Sequence, residues 1–263
     1  MAYNINESFK NELPLLPKIY IYLKINKLEK ILRKLIFIFN VNVLKKNISI
    51  RSQKSFNEIV NIENLLKYKN DLETKNYAYV ENFFSDEFFR YINDNWPKKY
   101  LFRPPFGLDK FYDTGFIFKK NENINLSTDK ISWLKDLYKF FNSDKFVKTL
   151  KKFSNFDLYF ESSGLNQTRT GSYIALHLDD VEKNEKLFGS LNCIIILDSS
   201  ETKSCANLSL GKSNRWEDIY FKSPNKKNSA LIYRIGSYHY HGFSPVKKNE
   251  YRKALNVRFL REN

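Results

Sequence analysis

The sequence predicts a mainly β protein of the α+β class, with helices on its N-terminal side, and three observations lead to this prediction. From Phe156 onward, short β-rich runs alternate with turn-prone stretches. Before that point, apolar residues recur at helical spacing. The 263 residues are 42% hydrophobic, enough for one sizeable core, and no Pro-, Gly- or Ser-rich linker divides them. Evenly spaced short strands are typical of a sandwich or barrel rather than of a parallel α/β sheet.

A basic amphipathic segment covers residues 14–46. Apolar residues such as Ile21 and Leu28 recur at roughly helical spacing, with lysines such as Lys24 between them. Its most apolar part, Leu35 to Leu44, is shorter than the roughly 20 residues that cross a bilayer. The segment fits a helix packed on the domain with its charges in water, which we favour, or a helix lying on an anionic membrane surface. We therefore predict a basic helical extension over residues 1–76.

Two further stretches predict helices. Residues 77–97 indicate a strand followed by a helix that Ser85 caps and Pro97 stops. Residues 128–152 predict a second helical zone, which Asn142 and Ser143 divide in two.

The remaining chain predicts seven strands separated by turns. The predicted strands lie at 156–161, 172–179, 191–198, 206–210, 216–222, 229–235 and 252–260. The predicted turns are Ser162–Gly164, Ser199–Ser204, Gly211–Asn214 and Ser223–Asn228.

The chain is strongly basic, with 44 Lys and Arg against 29 Asp and Glu and a net charge of +15. Such a charge favours an anionic partner or substrate, although a plain solvated surface is the simpler explanation in a sequence rich in Lys, Asn and Ile. We do not expect nucleic acid binding, because no aromatic-basic RNA motif or helix-turn-helix spacing is present. Nothing in the sequence indicates an oligomeric state.

Only two cysteines occur, Cys193 and Cys205. They do not suggest a disulfide scaffold, so we expect a reducing, cytoplasmic location, with the membrane surface as an alternative through residues 14–46. The N-terminus lacks a basic region followed by an apolar stretch, and we expect no signal peptide.

The three histidines of the chain, His177, His239 and His241, all lie in the β-rich part. Residues i and i+2 of a strand point to the same side, so His177 and Asp179 face one side together. One histidine from a distant strand would complete a site of two histidines and one carboxylate, which suits non-haem Fe(II). His239 and His241 share strand parity, and parity alone leaves both open.

A His-x-Asp pair alone is more often a hydrogen-bonded pair or a solvated edge than a metal site. Here the context strengthens the metal hypothesis. Gly171 precedes the strand that leads to His177, and His241 begins the sequence His-Gly-Phe-Ser-Pro-Val. Eleven residues after His241, Arg252 opens the last predicted strand.

This order of motifs over residues 77–263 resembles the Fe(II)/2-oxoglutarate-dependent dioxygenases, and most closely their prolyl-4-hydroxylase-like branch. The resemblance implies a double-stranded β-helix (jelly-roll) domain over 77–263. Two positions depart from the family pattern. Ile174 stands where a tyrosine is frequent, with Tyr173 one place away, and Cys205–Leu208 replaces a Gly-Gly-x-Leu element.

The resemblance implies Fe(II), 2-oxoglutarate as co-substrate and O₂. The iron ligands would be His177, Asp179 and His241, since the Gly-x-x-Pro-Val sequence follows His241, and His239 would lie behind them or face the substrate. Arg252 would act in catalysis by binding the distal carboxylate of 2-oxoglutarate, because a guanidinium stays charged when buried. Arg258, of the same parity, is the alternative anchor, and Tyr173 would contribute to the co-substrate site.

The implied reaction is the oxidation, most simply the hydroxylation, of an unidentified organic substrate, with release of succinate and CO₂. A peptide side chain, a small metabolite and a glycan are all compatible with the sequence. The alternative is a non-enzymatic β-barrel binding module, recruited to membranes or other anions by the basic N-terminal helix.

Overall fold

The computed structural model describes residue 56 and residues 58–96, 110–111, 113–119, 132–179, 188–200, 206–236 and 239–262. The predicted amphipathic segment 14–46, Pro97 and Cys205 lie outside the described residues.

Five α-helices occur in the described part of the chain. They are α1 (Ile62–Lys67), α2 (Lys69–Lys75), α3 (Asp86–Asp94), α4 (Ser132–Phe141) and α5 (Asp144–Ser154). The Ser85 side chain accepts a hydrogen bond from the Phe88 N–H at 3.4 Å, as predicted for the start of α3. Ser143 caps α5 in the same way, so the predicted helical zone does divide at Asn142 and Ser143.

Eleven strands, all antiparallel to their partners, form two sheets within the described residues. They are β1 (Tyr77–Val80), β2 (Lys110–Phe111), β3 (Asp113–Lys119), β4 (Leu158–Thr168), β5 (Tyr173–His177), β6 (Leu191–Ser199), β7 (Ser209–Gly211), β8 (Ile219–Lys222), β9 (Ser229–Arg234), β10 (Tyr240–Phe243) and β11 (Arg252–Arg261). The six-stranded sheet has the order β1-β9-β6-β11-β4-β3, and the five-stranded sheet has the order β2-β5-β10-β7-β8.

From β4 to β11 the chain passes repeatedly from one sheet to the other. Strands β4, β6, β9 and β11 lie in the larger sheet, and β5, β7, β8 and β10 lie in the smaller one. This confirms the predicted mainly β architecture, and the sheets are antiparallel rather than those of a parallel α/β fold. The alternation is consistent with a double-stranded β-helix.

Side chains on the two faces of the larger sheet pack into two separate clusters of buried apolar residues. Leu255, Val257 and Phe259 of β11 pack with the helices. Ala254 of the same strand packs with Phe243 of β10, between the sheets. Because alternate residues of a strand point to opposite faces, the even-numbered residues of β11 face the space between the two sheets. The helices form a third layer outside the larger sheet.

Part of the predicted N-terminal extension lies in the core. Leu65 of α1 and Leu72 of α2 are fully buried in the cluster between the helices and the larger sheet. Residues 58–75 therefore pack with the β-rich part of the chain, while the division at residue 77 stays a prediction.

The predicted turn at Ser162–Gly164 is wrong. Strand β4 runs unbroken through these residues, with Gly164 opposite Asn256 of β11 and Ser162 opposite Arg258. Pairing with β11 on one side and β3 on the other holds this stretch extended, against its local turn preference. The predicted strand 216–222 is also shorter than expected, because Trp216–Asp218 form a 3₁₀ turn before β8.

Among the described helices, none combines the length and the apolar character that a membrane crossing needs.

Candidate metal centre

His177 and His241 lie directly opposite each other on neighbouring strands. His177 is the last residue of β5 and pairs with His241, the second residue of β10. Directly opposed residues of an antiparallel pair point to the same face, and the two imidazole centres are 4.2 Å apart. Each residue is only 6% exposed. The strand pairing thus places two buried imidazoles side by side.

Backbone carbonyl groups orient both rings. Nδ1 of His177 lies 2.9 Å from the carbonyl oxygen of Ala175. Nδ1 of His241 lies 3.4 Å from the carbonyl oxygen of His239. A carbonyl only accepts hydrogen bonds, so each Nδ1–H donates and the lone pair of the neutral ring lies on Nε2. Histidines that bind metals are commonly fixed by such a bond.

Asp179 completes the cluster from just beyond the end of β5. Its carboxylate and the two imidazoles each offer one ligand atom, and these three atoms all lie within 4.8 Å of one another. Arg258 of β11 donates a hydrogen bond from Nη2 to Oδ1 of Asp179 at 3.1 Å. The structure therefore brings together the three residues predicted as ligands, and adds Arg258 beside the carboxylate.

The three donors suit a divalent iron ion. Two imidazole nitrogens and one carboxylate oxygen on one side of an ion leave its remaining positions open for other ligands, and this set is typical of non-haem Fe(II). The ring orientation set by the carbonyl bonds leaves each Nε2 as the ligand atom. His177, Asp179 and His241 thus fit the predicted metal.

Arg252 opens β11 in a buried position, 4% exposed. Its guanidinium carbon lies 4.6 Å from the centre of the Phe243 ring. Its Nη1 donates a hydrogen bond to the carbonyl oxygen of Ala206 at 2.7 Å. Phe243 is two residues beyond His241 on β10, so Arg252 contacts this strand two residues past the histidine pair. This is where a buried cation could hold the far end of a small dianion.

His239 precedes β10, and its side chain meets a different set of residues. Its Nδ1 hydrogen bonds with the Tyr220 hydroxyl. Its ring also packs against Tyr77, with ring centres 6.2 Å apart. Burial lowers the pKa of His239, opposed in part by a backbone hydrogen bond with Asn76. Burial raises the pKa of Tyr220, so both partners are neutral at neutral pH, and the tautomer of His239 decides which of them donates.

Tyr173 is buried at the start of β5, 1% exposed. The neighbouring Ile174 packs into the cluster between the sheets and lies opposite Phe243. Because adjacent strand residues point to opposite faces, we place the Tyr173 side chain on the side away from that cluster. Its predicted contact with a co-substrate stays a prediction.

Two polar residues near the histidine pair, Tyr233 and Asn192, were not predicted from the sequence. Tyr233 of β9 has its ring centre 5.1 Å from that of His241. The Tyr233 hydroxyl accepts a hydrogen bond from Nδ2 of Asn192 at 2.7 Å, and Asn192 lies opposite Arg258 on β6. Asn192 is 2% exposed inside the apolar run that forms β6. In the sequence, the only signal for Asn192 was an amide side chain within an otherwise apolar predicted strand.

Comparison with known proteins gives matches at the level of structure alone. No family model matches the sequence, and no curated protein matches it. An oxidoreductase of the 2OG-Fe(II) oxygenase family from Burkholderia pseudomallei has a TM-score of 0.54 at 11% identity, over 82% of this chain and 96% of that one. A Pseudomonas putida prolyl-4-hydroxylase has a TM-score of 0.52 at 11% identity, over 76% of this chain and 100% of that one.

A prolyl hydroxylase from Trichoplax adhaerens, solved in complex with a peptide fragment of the hypoxia inducible factor oxygen degradation domain, has a TM-score of 0.55. It is 12% identical over 76% of this chain and 90% of that one. At such identities the likeness concerns the fold. The chain therefore has the fold of the 2-oxoglutarate- and Fe(II)-dependent oxygenases.

Proposed function

We propose that this chain is an Fe(II)- and 2-oxoglutarate-dependent oxygenase built on a double-stranded β-helix over residues 77–263. One observation carries the proposal: the ligand atoms of His177, Asp179 and His241 converge within 4.8 Å, inside a fold shared with such oxygenases. Two imidazoles and one carboxylate would hold Fe(II) on one side and leave positions for the co-substrate and O₂.

When bound, the iron supplies the oxidative chemistry: O₂ and 2-oxoglutarate are converted to succinate and CO₂, and one oxygen atom is left for the substrate. The residues of the chain provide geometry and exclude water. The carbonyls of Ala175 and His239 fix the two imidazoles, and the apolar residues around Phe243 keep the space between the sheets dry.

Arg252 is the proposed partner of the distal carboxylate of 2-oxoglutarate. Its guanidinium is buried, lies over the Phe243 ring and donates a hydrogen bond from Nη1 to the Ala206 carbonyl. A fixed, desolvated guanidinium is a strong partner for a carboxylate because both hydrogen bonds and charge act at short range. Arg258 lies six residues further along β11, beside Asp179, so Arg252 is the better placed of the two arginines for the end remote from the metal.

The substrate we propose is an unidentified organic molecule. A peptide is one class, since the Trichoplax prolyl hydroxylase was solved with a peptide fragment. A small metabolite and a glycan are the others, and the net charge of +15 favours an anionic member of any class. We also propose a cytoplasmic protein, whose residues 14–46 pack on the domain or contact a membrane surface.

The decisive experiment incubates purified protein with Fe(II), 2-oxoglutarate and O₂ and measures succinate by mass spectrometry. We expect slow succinate formation without added substrate, dependent on Fe(II) and abolished by His177→Ala. A panel of prolyl peptides, neutral sugars and phosphorylated sugars then identifies the class that accelerates it. Metal binding without any succinate, alone or with the panel, would favour the non-enzymatic binding module instead.

A further inference from the structure

Arg258 and Asp179 form an ion pair inside the candidate metal centre. Nη2 of Arg258 lies 3.1 Å from Oδ1 of Asp179, and their side chains are 30% and 13% exposed, respectively. Because both are largely removed from solvent, the pair is screened less than a surface ion pair. We infer that Arg258 is a positioning residue that orients the Asp179 carboxylate for metal binding, an inference that rests on the proposed function.

The two residues differ in how firmly the backbone holds them. Arg258 is in β11, paired with Asn192 of β6 on one side and with Ser162 of β4 on the other. Asp179 lies two residues beyond the end of β5 at His177. A residue on a strand paired along both edges is a rigid anchor for a carboxylate that follows a strand end. Arg258 thus gives Asp179 a fixed direction that its own segment does not supply.

The hydrogen bond also restricts rotation of the carboxylate, because Arg258 donates to Oδ1. Outer residues that hydrogen bond metal ligands typically contribute a factor of about 10 to 100 in metal affinity. The guanidinium charge acts in the opposite direction, because it repels a divalent ion. The gain from orienting the carboxylate outweighs this repulsion.

The test uses Co(II), which binds sites of this kind and gives visible absorption bands that report its coordination. Anaerobic titration of the full chain with Co(II) is carried out for wild type, Arg258→Met, Arg258→Gln and Arg258→Lys. The matched control is Arg261→Met on the same strand, since Arg261 lies 4.5 Å from the Phe156 ring centre on the helix side. Thermal unfolding of each metal-free protein checks that it folds.

We expect Arg258→Met to weaken Co(II) binding about 10- to 100-fold and to change the absorption bands. Arg258→Gln and Arg258→Lys keep a hydrogen-bond donor and should bind Co(II) more tightly than Arg258→Met. Arg261→Met should bind like wild type. If Arg258→Met binds as well as wild type or better, or if the donor-bearing variants fare no better than Arg258→Met, the positioning role is overturned while the metal site stands. If wild type itself binds no Co(II), the metal site falls, and the inference falls with it.

Discussion

Gly242 allows His241 to lie opposite His177. Strand β10 pairs His241 with His177 and Phe243 with Ile174, so two residues of β5, Ala175 and Leu176, stand against the single residue Gly242. A β-carbon at position 242 would lie 2.5 Å from the carbonyl oxygen of Ile174. The bulge and the absent side chain together let the two strands approach and bring the histidine rings together.

Gly242→Ala should therefore damage both stability and the metal site. The new methyl group would push β10 away from β5, at an expected cost of about 1–3 kcal/mol in the free energy of unfolding. Because the two histidines sit beside this contact, Co(II) affinity should fall as well. Thermal unfolding and Co(II) titration measure the two effects.

Gly211→Ala in the same sheet is the matched control. A β-carbon there would lie 3.2 Å from the carbonyl oxygen of Ser213, in the bend that follows β7, so the neighbour needs to shift by less. We expect a smaller loss of stability and unchanged Co(II) binding. Equal metal affinity in Gly242→Ala and wild type would contradict the role given to the close approach.

Alanine substitution of His239 and of His241 should have different effects on metal binding. His241→Ala removes a proposed ligand and should abolish Co(II) and Fe(II) binding. His239→Ala leaves the backbone carbonyl that orients His241 and removes only a ring that meets Tyr220 and Tyr77, so metal binding should persist. Metal titration of both variants decides the assignment. Loss of binding in His239→Ala with retention in His241→Ala would mean that the ligand is wrongly chosen.

Arg252→Met should raise the concentration of 2-oxoglutarate needed for succinate formation by roughly 10- to 100-fold. The estimate follows from about 1.5–3 kcal/mol for a hydrogen bond to a charged group and 1.4 kcal/mol per tenfold change in affinity. Co(II) affinity should change little, since Arg252 contacts Phe243 and Ala206 and is not a proposed ligand. An unaltered 2-oxoglutarate dependence would assign the distal carboxylate to another residue, with Arg258 as the next candidate.

The rate at which the Cys193 thiol reacts with a reagent should report global unfolding. It is the third residue of β6 and 3% exposed, and burial raises the pKa of its thiol above the ordinary value. In a Cys205→Ser background, its reaction with a thiol reagent at pH 8 should be at least about 10³-fold slower than in denaturant, because the thiol reacts only when the sheet opens. Fast labelling in native buffer would contradict the buried placement of β6.

Local signals predicted much of this fold and of the site. The Ser85 cap located α3, Asn142 and Ser143 located the break between α4 and α5, and apolar runs located β6 and β9. The spacing of His177 and Asp179 predicted that both could reach one ion, because that relation depends only on neighbouring residues.

Relations between distant residues were not predictable in this way. Arg258 and Asp179 are 79 positions apart; Arg258 lies in the larger sheet and Asp179 follows a strand of the smaller one, so their contact depends on how the sheets pack. The strand through Ser162–Gly164 likewise depends on pairing with β11 and β3, which overrides local turn preference. The Asn192–Tyr233 bond depends on the register of β6 against β9.

The most direct test of the account is anaerobic titration of the purified protein with Fe(II) followed by 2-oxoglutarate, monitored by visible absorption. Chelation of the iron by the keto acid gives a metal-to-ligand charge-transfer band. We expect this band in wild type at one iron per chain, and its absence in His177→Ala and His241→Ala. Wild-type protein that shows no such band at saturating Fe(II) and 2-oxoglutarate would contradict the proposed centre.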